Sequence, residues 1–418
     1  MRRLLVAILA VAVLATATVV LLRREKELAK SVRAAARLLR FDDRRVKGLV
    51  VETGGKVWRF EQEGEGWRVA APVRDAADAT RILELLAAMR RTPVVRVIDD
   101  AAALSEYGLD PAVATVRLEG VETPALRLGE AAPTGEGLFA SVEGRPGVLL
   151  LRLPEGAGLL HPDPNELRDA SIAGLLLQNL TTVEISAASG KTVLERGREG
   201  WWITSPLRLP ASDIQMERLL GALEKSKVRR FEDGLEPGAK EIGLGEGALR
   251  ITLRGPSAVR TVVLGAPTGT GLRYVARDDR SRPVAADAAP LDGMPLDVAK
   301  LGETRLTKTN RYEVKSFTYR AGGRSFGAVR EGKDEWKDSG GTSLAPETVY
   351  ALLVGLLEAA TAGYDVAKEA ALAPTATLEF EIDGGGRDRI DFVKGGKARV
   401  ASIPGVTFRL VAEPPPVP

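Results

Sequence analysis

The sequence predicts an α+β protein in which one N-terminal transmembrane helix precedes three tandem repeats of antiparallel β-meanders, each covered by an amphipathic helix. Three observations lead to this prediction. Residues Leu4–Leu22 contain no charged side chain. The stretch WRVAAPVRDAADATRILELLAAMRR from Trp67 recurs as WWITSPLRLPASDIQMERLLGALEKSK from Trp201 and as WKDSGGTSLAPETVYALLVGLLEAA from Trp336. Around each copy, short segments rich in β-branched and aromatic residues are separated by glycine turns, as in β-hairpins.

Residues 1–22 are predicted to be a transmembrane signal anchor. At the rise of an α-helix, the apolar run spans about 28 Å, which matches the roughly 30 Å hydrocarbon core of a bilayer. A cleaved signal peptide is the alternative, because Ala15-Thr16-Ala17 is an acceptable small-residue cleavage site. We favour the anchor, since the apolar run continues past that site to Leu22.

Residues 23–45 are predicted to form a basic amphipathic juxtamembrane helix. Leu28, Val32 and Leu39 recur at helical spacing among Arg and Lys side chains. This pattern suits either a solvated continuation of the span or a helix that contacts anionic headgroups or a partner's helix.

The orientation of the span stays open at this stage. The basic residues after the span favour a cytoplasmic body by the positive-inside rule, whereas Arg2 and Arg3 before an apolar run are typical of an exported chain. The expected location is the inner (cytoplasmic) membrane, with a single pass and the body facing the periplasm or cell exterior.

Three repeat units are predicted, at residues 46–179, 180–310 and 311–412, followed by a Pro-rich tail at 413–418. A chain of 418 residues has room for about two to four domains. Each unit opens with three short strands and continues through a helix into a second meander of about four strands. The strands are antiparallel because their connections are too short for crossovers. The sequences between the units contain Pro and helix-forming residues, which predicts short connecting helices.

Each predicted helix has one apolar face, as expected for a helix that covers a sheet. Burial of such a face contributes about 8–10 kcal/mol before entropy is subtracted, at roughly 2 kcal/mol for each large side chain. The three faces consist of Ile82, Leu85, Leu86 and Met89, of Met216, Leu219, Leu220 and Leu223, and of Val349, Leu352, Leu353, Leu356 and Leu357.

The composition argues against several classes of protein. The 59 basic residues are nearly balanced by 56 acidic ones, and they are not striped with aromatics, so nucleic acid is not an expected partner. The chain contains no cysteine, which excludes disulfides, thiolate metal sites and cysteine nucleophiles. We predict no catalytic, metal-binding or cofactor-binding residue, and therefore no enzyme and no cofactor.

Two features resemble functional motifs without fulfilling them. APTGEG at Ala132–Gly137 recurs as APTGTG at Ala266–Gly271, but no Lys follows the last glycine and a strand comes next. This pattern predicts a hairpin turn and not a phosphate loop. His161 is the only histidine, and it has no catalytic partner at a recognisable spacing, so we expect a solvent-facing loop residue.

The tryptophans are candidates for core packing or for ligand contact. Trp67, Trp202 and Trp336 recur at intervals of about 134 to 135 residues and each precedes a helix, which predicts packing in the core. Neighbouring side chains of a strand point to opposite faces. We therefore expect Trp202 to be buried and Trp201 to be exposed, which makes Trp201 the candidate contact for a partner or ligand.

These features together resemble the bacterial domain of unknown function 4340 family. WRVAAPVRDAADATRILELLAAMRR and YGLDPAVATVRL carry the resemblance in the first unit, and WWITSPLRLPASDIQMERLLGAL and IGLGEGALRITL carry it in the second. The resemblance extends from Val46 to Val411, although the third copy has Asp338-Ser339-Gly340 in place of the Pro turn. It implies a membrane-anchored, outward-facing protein, often associated with ABC-2-type export or gliding-motility transport components, and it assigns no catalytic residue.

We therefore expect a non-catalytic, membrane-anchored extracytoplasmic accessory or scaffold protein of an ABC-2-type export or gliding-motility-like transport system. Its expected partners are membrane lipid, through the N-terminal helix, and a membrane protein such as a transporter subunit. The alternatives are an envelope enzyme or ligand-binding receptor with a cleft between repeats, and a scaffold that binds cell-wall polymer. No sequence feature identifies a cargo.

Overall fold

The computed structural model describes most of the chain from Leu38 onward. The described residues are 38–64, 66–99, 101, 103–133, 135, 137–152, 163–188, 190–198, 200–287, 289–366 and 373–418. The predicted span at 1–22, most of the predicted basic helix and His161 lie outside these residues. Among the described helices, none is long and apolar enough to cross a membrane.

Three nine-stranded antiparallel sheets follow one another along the chain, which confirms the three predicted repeats. The first contains β1 (Gly48–Thr53), β2 (Lys56–Glu63), β3 (Gly66–Ala71), β4 (Asp75–Ala76), β5 (Val94–Ile98), β6 (Ala114–Glu119), β7 (Leu126–Ala131), β8 (Leu138–Val142) and β9 (Val148–Leu151). The second contains β10 (Thr182–Ala187), β11 (Gly190–Gly197), β12 (Gly200–Ser205), β13 (Leu209–Pro210), β14 (Val228–Phe231), β15 (Leu249–Arg254), β16 (Val259–Pro267), β17 (Leu272–Arg277) and β18 (Val284–Asp287). The third contains β19 (Val314–Ala321), β20 (Arg324–Glu331), β21 (Glu335–Asp338), β22 (Ser343–Leu344), β23 (Thr361–Val366), β24 (Pro374–Ile382), β25 (Arg387–Val393), β26 (Lys397–Val400) and β27 (Val406–Leu410).

One strand order is used three times. It is β4-β3-β2-β1-β6-β7-β8-β9-β5 in the first sheet, β13-β12-β11-β10-β15-β16-β17-β18-β14 in the second and β22-β21-β20-β19-β24-β25-β26-β27-β23 in the third. The strands before and after each main helix are therefore the two edges of the sheet. Among the described residues, the main helices are α1 (Ala79–Arg91), α2 (Asp213–Lys225) and α5 (Pro346–Leu357), and α3 (Ala289–Asp292) and α4 (Val298–Leu301) are one-turn helices.

The described residues form two compact units. The first consists of the chain up to Ala170 together with Phe231–Glu236 and Asp279–Pro283. The second consists of Ser171–Arg230, Pro237–Asp278 and Val284–Pro418.

The apolar faces of the main helices are buried, with one departure from the prediction. All four predicted residues of α1 belong to the same core cluster as residues of the first sheet, and all five predicted residues of α5 are buried. In α2, Leu220 is only partly buried and Ala222 is buried instead.

The predicted helix over residues 23–45 does not extend through its described part. Among residues 38–45, only Asp43–Arg45 are helical, and they form a single 3-10 turn. The neighbouring residues Leu38 and Leu39 are both buried and join the core of the first unit. Of the apolar residues predicted for this helix, Leu39 is therefore part of the core, and Leu28 and Val32 lie outside the described residues.

The connections after the first and second sheets are short helices, as predicted. Residues Pro164–Leu167 form a 3-10 turn in the first connection, and α3 and α4 lie in the second. Each connection then returns to the edge strand before the main helix, through bridges between Ala77 and Arg168 and between Ala211 and Gly302. The repeat thus ends by pairing with its own edge.

The Pro-rich tail packs against the third repeat. The Tyr319 hydroxyl donates a hydrogen bond of 2.7 Å to the Pro415 carbonyl oxygen. Pro415 also lies against Gly355 of α5, where an added Cβ would be 3.0 Å from Pro415 Cγ. The absence of a side chain at Gly355 allows this close approach.

A pair of glycines recurs in the first two repeats. One glycine lies in the turn before β6 or β15, and the other lies in the strand that this turn contacts, β7 or β16. Gly108 and Gly243 have left-handed φ angles of 63° and 65°. Their partners Gly129 and Gly265 lie in β7 and β16, and a Cβ added at Gly265 would collide with the carbonyl oxygen of Ile242. Glycine at these positions therefore allows backbone to pack directly on backbone.

We expect Gly265→Ala to lower the free energy of unfolding by about 3 kcal/mol, at the upper end for overpacking, because the colliding atom belongs to the backbone. Gly269→Ala is the matched control, since no atom lies within 4 Å of its Cβ position. Denaturant unfolding of the purified protein measures both. Equal stability of the two variants would contradict the proposed close packing.

Candidate functional site

Trp201, the predicted contact residue, is buried. It is 7% exposed and shares a strand face with the fully buried Ile203. Trp202 is the more exposed of the pair, and its ring lies beneath the guanidinium of Arg208, 4.8 Å from the ring centroid. The two tryptophans do point to opposite faces, but the predicted assignment of these faces is wrong, and Trp201 lacks the exposed surface on which its contact role was based.

The error arises from aligning the repeats one residue out of register. A shift of one residue moves a side chain to the other face of a strand. The three equivalent cross-strand pairs are Trp67 with Gln62, Trp201 with Arg196 and Trp336 with Arg330. Trp201, and not Trp202, is therefore the counterpart of Trp67 and Trp336.

The repeated APTG loops are hairpin turns, as predicted. The first connects β7 to β8, and its Ala132 N–H donates to the Gly137 carbonyl at 2.8 Å. The second connects β16 to β17, and its Thr268 N–H donates to the Leu272 carbonyl at 2.7 Å. Within the described ranges, no group of three or more acidic or histidine side chains is arranged to hold a metal ion.

A buried cluster of charged side chains lies in the first unit. Arg168 and Arg280 have side chains that are 1% exposed, and Asp75 between them is 3% exposed. Arg168 donates to Asp75 at 2.7 Å and donates two parallel hydrogen bonds, of 2.8 and 2.9 Å, to the carboxylate of Asp233. The ring of Phe231 lies 3.7 Å from the guanidinium carbon of Arg168.

This cluster is suited to holding the chain together and not to proton transfer. A guanidinium stays charged and has no acceptor atom, so the two arginines supply only donors. Removing charges from water costs several kcal/mol per ion unless their hydrogen bonds are satisfied. Here Asp75 and Asp233 satisfy Arg168, which attaches residues 231–236 to the rest of the first unit.

A trough of about 880 Å³ lies on the third sheet. Its floor is formed by Ser316 and Thr318 of β19 and by Gly327 of β20. Phe317 lies between the two hydroxyl residues in sequence and is buried. Because side chains alternate along a strand, the floor belongs to the face opposite the core.

The walls of the trough are set by the strand register. Ser316 pairs with Val329 on one side and with Glu381 on the other, and Thr318 is flanked in the same way by Gly327 and Glu379. The next strand adds one arginine to each of these rows: Arg387 opposite Glu381 and Arg389 opposite Glu379. The short side chains of Ser316 and Thr318 therefore lie between the half-exposed Val329 and two Glu–Arg pairs of β24 and β25.

The two glutamates of the wall are each paired with an arginine of the sheet. Arg387 lies 2.9 Å from the Glu381 carboxylate, and Arg320 lies 2.8 Å from that of Glu379. The hydrogen bond from Arg387 holds the pKa of Glu381 below its ordinary value. At the far end, Ser402 donates through its hydroxyl to Asp388 at 2.5 Å.

The sequence alone singled out neither the buried cluster nor the trough. One signal was available for the trough, because Gly327 interrupts the strand RSFGAVRE, and a glycine inside a strand often marks a place of close approach by backbone or ligand. No comparable signal existed for Arg168, since its partner Asp233 is 65 residues away.

The family model for DUF4340, a domain of unknown function, matches residues 67–205 and 201–377. The chain belongs to the DUF4340 family. The second match begins at Trp201, in agreement with the structural equivalence of Trp201 and Trp67. A search of curated proteins finds no match.

For the tryptophan pair of this DUF4340 protein, we expect Trp201→Ala to lower the free energy of unfolding by about 3–5 kcal/mol, because it removes a large buried aromatic. Trp202→Ala should cost about 1 kcal/mol, since it loses a partly exposed ring and one cation–π contact. Chemical denaturation of both variants tests this order. A larger loss of unfolding free energy in Trp202→Ala than in Trp201→Ala would support the assignment predicted from the sequence, with Trp202 buried.

For the buried cluster, we expect Arg168→Ala to lower the free energy of unfolding of the first unit by about 3–5 kcal/mol, because it leaves the buried Asp75 with one guanidinium partner where it had two and removes the bidentate partner of Asp233. Arg168→Lys should recover only part of this loss, since an ammonium lacks the planar fork that binds Asp233.

The control for this prediction is Arg59→Ala, which removes a largely exposed ion pair with Glu119 and should cost at most about 1 kcal/mol. Denaturant unfolding measures the change in stability, and native-state hydrogen exchange measures the protection of residues 231–236. Wild-type protection of that segment in Arg168→Ala would show that the cluster does not attach it.

Proposed function

We propose that this DUF4340 protein is a non-catalytic, membrane-anchored extracytoplasmic scaffold that serves as an accessory to a membrane transporter. The observation that best supports a scaffold is the threefold use of one nine-stranded sheet. Repetition of a structural unit multiplies surface without adding new chemistry, and repeat proteins commonly use such surface to hold partners.

The pairing of charged residues supports a structural role for them. On the first sheet, Arg117 pairs with Glu52 across strands, and on the second sheet Lys191 pairs with Glu184. Cross-strand pairs of opposite charge contribute roughly 0.2–1 kcal/mol each to a sheet. These side chains are engaged in stabilising the sheets that carry them.

Each main helix, in our proposal, covers one face of its sheet. Nine strands laid flat are about 38 Å wide, whereas a thirteen-residue helix is only about 20 Å long. Because α1 and its counterparts join opposite edges, the sheet has to curl around the helix. The shared core of α1 and the first sheet supports this arrangement.

The membrane anchor is supported by the sequence of residues 1–22. Leu4–Leu22 has the length and apolar character of a single span. The family resemblance adds the expectation of an ABC-2-type export or gliding-motility-like partner in the same membrane. The sheets would then lie outside the membrane, next to the transporter.

We expect the full chain to stay in the membrane fraction after alkaline washing, whereas a variant with residues 1–22 replaced by a cleavable export signal should be released. An alkaline phosphatase fused after Pro418 should be active in both, and a green fluorescent protein fused there should be dark. Fusion after Pro418 leaves the contact between Tyr319 and Pro415 in place.

Affinity purification of the full chain from detergent-solubilised membranes tests the partner. We expect a transporter permease to copurify with the full chain. Release of the full chain by alkaline washing would contradict the anchor, an inactive phosphatase fusion would contradict the orientation, and purification without any transporter subunit would contradict the accessory role.

A further inference from the structure

The third sheet differs from the first in leaving the outer face of its central strand uncovered. In the first sheet, Arg59 of β2 reaches across β1 to Glu119 of β6, with Nη1 2.5 Å from Oε1. The Glu119 carboxylate lies over Gly48 of β1, where an added Cβ would collide with it. An ion pair therefore covers the outer face of β1.

Two differences remove this cover in the third sheet. Arg59 pairs with Val50 in the first sheet, and the equivalent position opposite Thr318 is Gly327, which has no side chain to extend over β19. The counterpart of Glu119 is Glu381, which pairs with Arg387 on the far side instead. The hydroxyl groups of Ser316 and Thr318 are thus left at the bottom of the trough.

We propose that this trough is a binding site for a neutral, hydroxyl-rich oligosaccharide. Its volume of about 880 Å³ falls in the range of ligand sites, about 300–1,000 Å³. This site depends neither on the membrane anchor nor on the transporter partner.

The charge balance of the trough favours a neutral ligand. Glu381 is paired with Arg387 and Glu379 with Arg320. Arg389 lies 2.8 Å from the Asp391 carboxylate and 3.8 Å from that of Glu379.

Asp388, the third carboxylate of the lining, accepts hydrogen bonds from the Ser402 hydroxyl and from the backbone N–H groups of Ser402 and Arg389. The charged groups of the trough thus already have partners within the sheet. Hydroxyl groups can donate to carboxylates and accept from guanidinium groups without disturbing these pairs.

The topology disfavours an extended peptide. Peptides that add a strand need an exposed sheet edge, but β19, β20, β24 and β25 each have a partner strand on both sides. The hydrogen-bonding groups that the trough offers are therefore side chains: hydroxyls on the floor and ion-paired carboxylates and guanidiniums on the wall. The half-exposed Val329 adds an apolar contact suited to the C–H face of a sugar ring.

The test is a calorimetric titration of the purified protein with two neutral tetrasaccharides, one built of N-acetylglucosamine and one built of glucose. Hexaglutamate, hexalysine and a neutral hexapeptide are the comparison probes. We expect saturable binding of at least one tetrasaccharide and none of the peptides.

Gly327→Arg restores the side chain found at Arg59 and should weaken tetrasaccharide binding by at least about tenfold, a change that titration resolves readily. Ser325→Arg is the matched control, because it adds the same side chain to the same face of β20 outside the trough, and it should leave affinity unchanged. Thr318→Val removes only a hydroxyl and should also weaken binding, which guards against a folding defect in Gly327→Arg.

Three results would overturn the proposal. These are the absence of saturable binding by either tetrasaccharide, equal affinity in wild type and Gly327→Arg, and binding of a peptide probe in preference to both saccharides. None of these outcomes bears on membrane release, phosphatase activity or copurification of a permease, so the site and the scaffold role can fail separately.

Discussion

Each sheet depends on one non-local pairing, between the first strand of its first meander and the first strand of its second. This ladder has six residue pairs between β1 and β6, five between β10 and β15 and seven between β19 and β24. Joining the meanders at these strands sends the other ends of both meanders outward. The last strand of the first meander and the strand after the helix therefore become the two edges of the sheet, and the helix connects these edges.

The same ladders fix which side chains meet on the outer face. Antiparallel pairing places residues of three successive strands in one row, so a substitution on one strand changes what its neighbours can reach. Arg59 and Glu119 close such a row in the first sheet. With Gly327 in place of that arginine, the third sheet keeps the fold and gains a trough, which shows how copies of one unit can acquire different surfaces.

The buried cluster around Arg168 belongs to a different level of organisation. It joins residues that are far apart in sequence, with Arg280 and Asp75 separated by 205 residues. A buried charge network is costly to form and costly to break, so it favours one arrangement of its segments over alternatives. The repeats share one strand order, but they are not wholly self-contained. The compact unit that contains the first repeat also includes residues 231–236 and 279–283.

The sequence by itself determined the features with a local period: the number of repeats, the hairpins, the helices and most of their buried faces, as well as the DUF4340 resemblance. These follow from alternation in strands, spacing of three and four in helices, and glycine in turns. The tertiary structure alone decided which of Trp201 and Trp202 is buried, because a one-residue error in aligning repeats reverses a face. It also decided the Arg168 cluster and the Gly327 trough, because both depend on distances between strands and segments that no local pattern encodes.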